Sequence, residues 1–192
     1  MNQFDLGNRA AIVTGGAKGI GAAIARRFLQ SGARVAVWDI DAERLAGTAE
    51  ELRSHGAVET QTVDVTDPDA VKTAAARAIA AVGAVDILVN NATSLPDAIT
   101  QPGPFWEKPL AMASLLDVGL RSHYVAAWHA APLLLANGEG LIVNTSSFGG
   151  RIYMHGPAYG AGKAAVDKMS HDMAHDFKPH GVAVVSIWLG LL

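Results

Sequence analysis

Residues 9–39 read RAAIVTGGAKGIGAAIARRFLQSGARVAVWD. Arg9 to Thr14 is a short apolar run that ends in glycines. From Gly19 to Ser31, Ile20, Ala23, Ile24, Arg27 and Phe28 recur at helical spacing. Arg34 to Asp39 is a second continuous strand, mostly apolar. Strand, glycine turn, helix and strand open a β-α-β unit. Glycine allows the tight turn and lets backbone approach a pyrophosphate, whose charge is met by free N–H groups at the helix start. The glycines alone are weak evidence for this, and their place between strand and helix is what gives them weight.

Downstream the alternation continues. Asp41 to about Ser54 reads as a helix that Asp41 can cap, and Val58 to Val65 as a third strand. Thr66-Asp67-Pro68 caps an alanine-rich helix from Pro68 to Val82, and Val85 to Asn90 is the fourth strand. Thr93 to Pro109, rich in Pro, Gly and Thr, is a surface excursion near a site. A long helix is expected from Ala111 to Leu135, bent near its end by Pro132. Leu141 to Thr145 is the fifth strand, Tyr159 to His180 a helix, and Val182 to Trp188 the sixth strand. Buried strands separated by helices predict an α/β, doubly wound, Rossmann-type parallel sheet with helices on both faces, in one domain spanning 1–192.

Composition narrows the function. Half of the 192 residues are hydrophobic and only 17% charged, with 15 basic against 18 acidic residues for a net charge of -3. Without a Lys/Arg block, neither nucleic acid nor an anionic membrane is an expected partner; a small molecule is. The absence of cysteine removes disulfides, cysteine-ligated zinc and thiolate nucleophiles, so redox chemistry must come from a bound cofactor. Met1 to Arg9 lacks the pattern of a signal peptide, and Val182 to Leu192 is too short to span a bilayer, so a cytoplasmic location is expected.

Asp39 ends the second strand about 20 residues past the glycines, where a carboxylate can accept from adenosine ribose hydroxyls and repel a 2′-phosphate. This favours NAD; Lys18, a cation inside the turn, admits NADP. A capping role for Asp39 is the plain alternative. Of the three tyrosines only Tyr159 has a lysine four residues on, Lys163. On a helix the two share one face. At about 4 Å and an effective dielectric near 20, the attraction is on the order of 4 kcal/mol, or roughly three pKa units. That would draw the phenol toward neutrality as a general acid/base. The same pair on a solvated helix face would be only structural. Asn144-Thr145-Ser146-Ser147 closes the fifth strand, where a hydroxyl can orient a substrate oxygen or merely turn the chain. The amides of Asn90-Asn91-Ala92 at the end of the fourth strand can contact cofactor or lock neighbouring loops, with nothing to choose between them. His171 and His175, four apart, lack partners to complete a metal shell, and no metal is expected.

Together these residues resemble the short-chain dehydrogenase/reductase family over nearly the whole chain. TGGAKGIG at Thr14 to Gly21 looks like its cofactor turn, Asp64-Val65 like its adenine contact, NNA at Asn90 to Ala92 like its fourth-strand motif and YGAGK at Tyr159 to Lys163 like its YxxxK centre. The stretches FWEKP, DVGLRSHY, GLIVNTSS and YGAGKAAVDKM look most like the branch called dehydrogenase/reductase member 1. The resemblance implies a nicotinamide dinucleotide held by Gly15, Lys18, Gly19, Ile20, Gly21, Asp39, Asp64, Val65, Asn91 and Ala92. It further implies hydride transfer to or from a carbonyl carbon, with Tyr159 as acid/base, Lys163 on the nicotinamide ribose and Ser147 on the substrate oxygen. Ser147 is chosen over Ser146 by its distance from Tyr159.

The sequence departs from the family pattern in four places. Gly119 stands where most members have an asparagine, so the proton relay usually assigned there must be absent, water-borne or supplied elsewhere. Leu189-Gly190 replaces Pro-Gly, Thr93 replaces a glycine, and the chain ends at Leu192, before the family's substrate lid and seventh strand. The expected activity is oxidation of a secondary alcohol or reduction of a ketone; the alternative is a non-catalytic dinucleotide-binding or scaffold protein. A hydrolase is a distant third, because no Gly-x-Ser-x-Gly elbow is present. The edge of the sixth strand, with Val182, Val184, Ile187 and Trp188, is a pairing liability. The resemblance adds dimerisation through the two long helices, so a homodimer or homotetramer is expected.

Overall fold

Ala10–Thr14 are buried on both faces, a state that a parallel strand reaches in the middle of a sheet covered by helices on each side. The computed structural model describes residues 4–190. Among these residues the strands are β1 (Ala10–Thr14), β2 (Arg34–Asp39), β3 (Val58–Thr62), β4 (Ile87–Asn90), β5 (Gly140–Ser146) and β6 (Val182–Trp188). They form one parallel sheet in the order β3-β2-β1-β4-β5-β6. The chain runs outward from β1 in one direction and then, from β4, in the other. The strand order therefore switches between β1 and β4, and a crevice opens there at the carboxyl ends.

The helices are α1 (Gly19–Gln30), α2 (Ala42–Arg53), α3 (Pro68–Val82), α4 (Ser114–Leu116), α5 (Ser122–Asn137) and α6 (Pro157–Phe177). On one face, Val13, Val35 and Val37 pack with Leu29 of α1 and with Leu45 and Leu52 of α2. On the other, Ile12, Trp38, Leu88 and Ile142 pack with Val71 of α3 and Leu134 of α5, while Met173 and Phe177 of α6 lie against the same core. Two of the helix starts follow from the sequence. The Asp41 carboxylate accepts the N–H of Arg44, and Asp67 accepts those of Asp69 and Ala70. α1 follows Lys18 without a side-chain cap or an acidic first turn, so its first amides stay available to an anion.

Beyond shifts of a few residues, such as β4 starting at Ile87 and α6 spanning Pro157–Phe177, the structure differs from the sequence expectation in four places. β3 stops at Thr62 because the Asp64 carboxylate accepts from the Thr66 amide and hydroxyl and turns the chain. The Thr93–Pro109 excursion contains two 3-10 turns, Asp97–Thr100 and Phe105–Glu107. The expected helix from Ala111 to Leu135 is not continuous. It is built from a 3-10 turn at Leu110–Ala113, α4, a π-helical turn at Asp117–Arg121 and then α5, with Pro132 inside α5. Gly119 lies in the π turn, a widened geometry that often marks functional sites. Finally, Val182 and Val184 are buried under α6; Ala183, Val185 and Trp188 are the exposed residues of the edge strand, and the Trp188 indole donates to Asp167. Of the apolar stretch at the chain end, Leu191 and Leu192 lie outside the described residues, as do Met1 to Gln3 at the start.

Candidate active site

The crevice at the switch point has a volume of about 610 Å3. Gly15, Lys18, Gly19 and Ile20 line it from the glycine turn, Asp39 from the end of β2, Asp64 and Val65 from the turn after β3, and Asn91 and Ala92 from beyond β4. Gly15 has φ +65, and a Cβ there would meet the Ala92 Cα at 2.7 Å. Gly21 stands behind the crevice wall, where a Cβ would strike the Gly15 carbonyl and the Asn91 side chain. Gly19, at φ +54, would meet nothing within 4 Å, so its backbone faces open space. Two glycines therefore permit close packing, and the third leaves room for an approaching group.

Asp39 serves the turn as well as the crevice. One carboxylate oxygen accepts the Ala17 amide at 2.9 Å and the other the Asp41 amide at 3.0 Å. A carboxylate has about four acceptor positions, so both contacts leave capacity for hydroxyl donors. The Asn91 side chain donates to Thr14 and Gly15, which makes it a lock between loops. Its backbone amide and that of Ala92 both donate to the Thr14 hydroxyl. Lys18 is exposed.

Across the sheet edge, Lys163 lies in the second turn of α6 and is 8% exposed. Its ammonium donates to the Thr145 carbonyl at the end of β5, 2.9 Å away, and sits 5.8 Å from the centroid of the Tyr159 ring. Burial pushes its pKa down, and the nearby Asp167 partly opposes this. The Ser146 hydroxyl donates to the Lys163 carbonyl, holding α6 to β5. Ser147 is buried and accepts the Gly149 amide at 3.1 Å, starting a 3-10 turn at Phe148–Gly150. That turn lies against α6. A Cβ on Gly149 would meet the Tyr159 ring at 2.6 Å, and one on Gly150 would meet the Ala164 amide at 2.7 Å. Ser147 is thus held in the turn that rests on Tyr159. Tyr159 is half-buried, while Tyr124 and Tyr153 are exposed. His171 and His175 lie on the solvated face of α6, each beside the following aspartate.

A buried polar layer beneath this site is not apparent from motifs. The Asn90 amide donates to Asn144 Oδ1 at 2.9 Å, and the Asn144 amide donates to the Ser170 hydroxyl at 2.9 Å. Asn90 also reaches the His123 carbonyl. His123 is 1% exposed, and its Nε2 lies 3.2 Å from the Ala92 carbonyl. Burial, with a smaller contribution from the Lys163 charge, lowers its pKa to about 4. Helical phase was the available signal. Ala126, Ala127, Ala130 and Leu134 form the buried face of α5, and His123 continues it toward the amino end.

Residues 9–192 match the family model described as short chain dehydrogenase. The chain is 38% identical over 189 residues to Dehydrogenase/reductase SDR family member 1 of Mus musculus, covering 96% of this chain and 60% of that protein. It is 35% identical over 176 residues to the 2-dehydro-3-deoxy-L-rhamnonate dehydrogenase (NAD(+)) of a Sphingomonas strain, covering 91% of this chain and 68% of that one. Among solved structures, a short-chain type dehydrogenase/reductase from Mycobacterium marinum superposes with a TM-score of 0.88 at 29% identity, covering 97% of this chain and 76% of that one.

Proposed function

The chain belongs to the short-chain dehydrogenase family, and from that premise we propose that it is an NAD(P)-dependent oxidoreductase acting between a secondary alcohol and its ketone. The nicotinamide, when bound, supplies the carbon that takes or gives the hydride. The glycine turn and the uncapped start of α1 receive the pyrophosphate, and Asp39 receives the adenosine ribose hydroxyls, which favours NAD over NADP. Lys18 keeps NADP within reach. Asp64, Val65, Asn91 and Ala92 complete the walls of the crevice. The donor set fits a dinucleotide: uncapped amides, a carboxylate with lone pairs to spare, and glycines that let the loops of the wall pack closely and leave the turn open at Gly19.

At the other end of the cleft, Tyr159 exchanges a proton with the substrate oxygen, and the Ser147 hydroxyl orients that oxygen. Lys163 binds the nicotinamide ribose and keeps a positive charge beside the phenol. The observation carrying this reading is the tether from the Lys163 ammonium to the Thr145 carbonyl, which fixes the tyrosine's helix to the sheet edge where the crevice opens. Self-association through α5 and α6 is part of the proposal, as a homodimer or homotetramer. Tyr124 and Trp128 are exposed on α5, Trp128 to 63%, beside a groove shared with Met173 and Phe177 of α6. The cysteine-free composition suits a reducing compartment, and the cytoplasm is the proposed location.

Calorimetric titration with NAD, NADH, NADP and NADPH, followed by assay of a ketone and alcohol panel, tests this reading. The expected result is nucleotide binding with turnover that Tyr159→Phe abolishes. No binding of any nucleotide would overturn it, and binding without turnover would favour the non-catalytic alternative.

A further inference from the structure

A general acid/base that its bound substrate covers turns over only if its proton has another way back to solvent. Lys163 is almost wholly buried, and its ammonium makes one hydrogen bond among the described residues, to Thr145, from three donors. Tyr159 and Lys163 line a small cavity together with Thr93, Leu115, Gly119 and Gly162. Its volume, about 10 Å3, is about what one water molecule needs. Thr93 is the one wall residue that also lines the large crevice, and it is exposed there.

The backbone opposite Thr93 makes this room. The π turn at Asp117–Arg121 brings Gly119, which has no side chain, to face the threonine: a Cβ on Gly119 would lie 3.4 Å from the Thr93 hydroxyl oxygen. Among the described residues that hydroxyl makes one long hydrogen bond, to the Ser94 carbonyl at 3.3 Å, and retains both of its acceptor lone pairs. Thr93, Tyr159 and Lys163 all line the cavity, so its walls include residues that carry the two or more polar partners a buried water requires.

We propose that Thr93 is a positioning residue whose hydroxyl, opposite Gly119, holds one water in this cavity and through it connects Tyr159 and Lys163 with solvent. The inference rests on the hydride-transfer reading above. In the oxidative direction the alcohol O–H proton passes to the Tyr159 oxygen as the C–H bond breaks and its hydride leaves to the nicotinamide. Tyr159 then gives up that proton across Lys163 to the cavity water, and Thr93 hands it on to solvent in the crevice; in reduction the proton runs the other way. Burial, which lowers the Lys163 pKa, makes the ammonium a readier donor to such a water.

Three variants and one structure test the proposal. Thr93→Val, which keeps the shape and removes the hydroxyl, should lower kcat by about tenfold or more while leaving the calorimetric Kd for the nucleotide within about threefold. Thr93→Ser should recover most of the loss, and Gly119→Ala, which fills the cavity, should reproduce it. A crystal structure of the nucleotide-free chain should show a water bonded to Thr93 Oγ1 and Lys163 Nζ, displaced in Gly119→Ala. Wild-type kcat in Thr93→Val, equal losses in the Val and Ser variants, or a dry cavity in the crystal would each overturn it. If the wild-type chain turns over no substrate, the hydride-transfer reading fails, and the crystallographic water still decides the site.

Discussion

The side-chain amide of Asn91 donates to the carbonyl oxygen of Gly15 at 3.0 Å, so a residue just past β4 carries the turn that follows β1. The same nitrogen reaches the Thr14 carbonyl at 3.1 Å. Asn91→Asp keeps the size and places an acceptor against two acceptors. The variant should lose about 1–3 kcal/mol of stability, the usual result of leaving such groups unpaired. It should also weaken nucleotide binding by about tenfold or more, because the turn it braces is the wall of the crevice. Urea unfolding and calorimetric titration check the two effects separately, and unchanged values in both would remove Asn91 from this role.

The strands around that turn were readable because β1, β2 and β4 are nearly unbroken apolar runs, and Asp41 and Asp67 announce the helices they cap. Tyr159 and Lys163 were readable because one pair alone has the required spacing. Other features depend on distances that spacing does not encode. Hydropathy does not reveal a π turn, so the helix through Gly119 reads as continuous. Asp39 could be read as a ribose acceptor or as a cap, yet its two oxygens brace Ala17 and Asp41 while the residue still lines the crevice. The neighbourhood of Thr93 and Gly119 joins residues 26 positions apart and emerges only when the chain is folded.

In the proposed reading, nucleotide choice turns on the charge of Asp39. Asp39→Asn retains a side-chain oxygen for one of the two turn amides and removes the negative charge facing the crevice. The ratio of NADP to NAD affinity should rise by about tenfold or more, equivalent to roughly 1.4 kcal/mol of relieved repulsion. Lys18→Ala should shift the ratio the other way by weakening NADP. Titration of both nucleotides against both variants measures the shifts; an unchanged ratio in Asp39→Asn would show that selectivity lies elsewhere.

At the opposite end of the sheet, Asp86 accepts the buried amide of Ala10 at 2.8 Å, and its own amide donates to the Ala10 carbonyl at 2.9 Å. The carboxylate thus extends the β1–β4 pairing where the ladder would otherwise end. Asp86→Ala strips the Ala10 N–H of its partner, and Ala10 is fully buried. The expected cost is about 1–3 kcal/mol in chemical denaturation with nucleotide affinity unchanged, since the site lies beyond the far end of β1.

His123 gives the fold a pH dependence whose sign can be worked out. Burial first, and the Lys163 charge second, lower its pKa from 6.5 to about 4 in the folded chain. Between those values the unfolded chain binds the extra proton and the folded chain does not, so stability rises with pH across the window and falls as pH drops below about 6.5. At pH 5 the loss relative to pH 7 should be about 2 kcal/mol, approaching about 3 kcal/mol near pH 4. His123→Leu removes the titrating group and the contact to the Ala92 carbonyl, so its stability should start lower at pH 7 but change less between pH 7 and 5. Urea unfolding of both proteins at the two pH values measures the difference in slope. Parallel pH dependences in the wild type and the variant would mean that His123 does not remain neutral inside the folded chain.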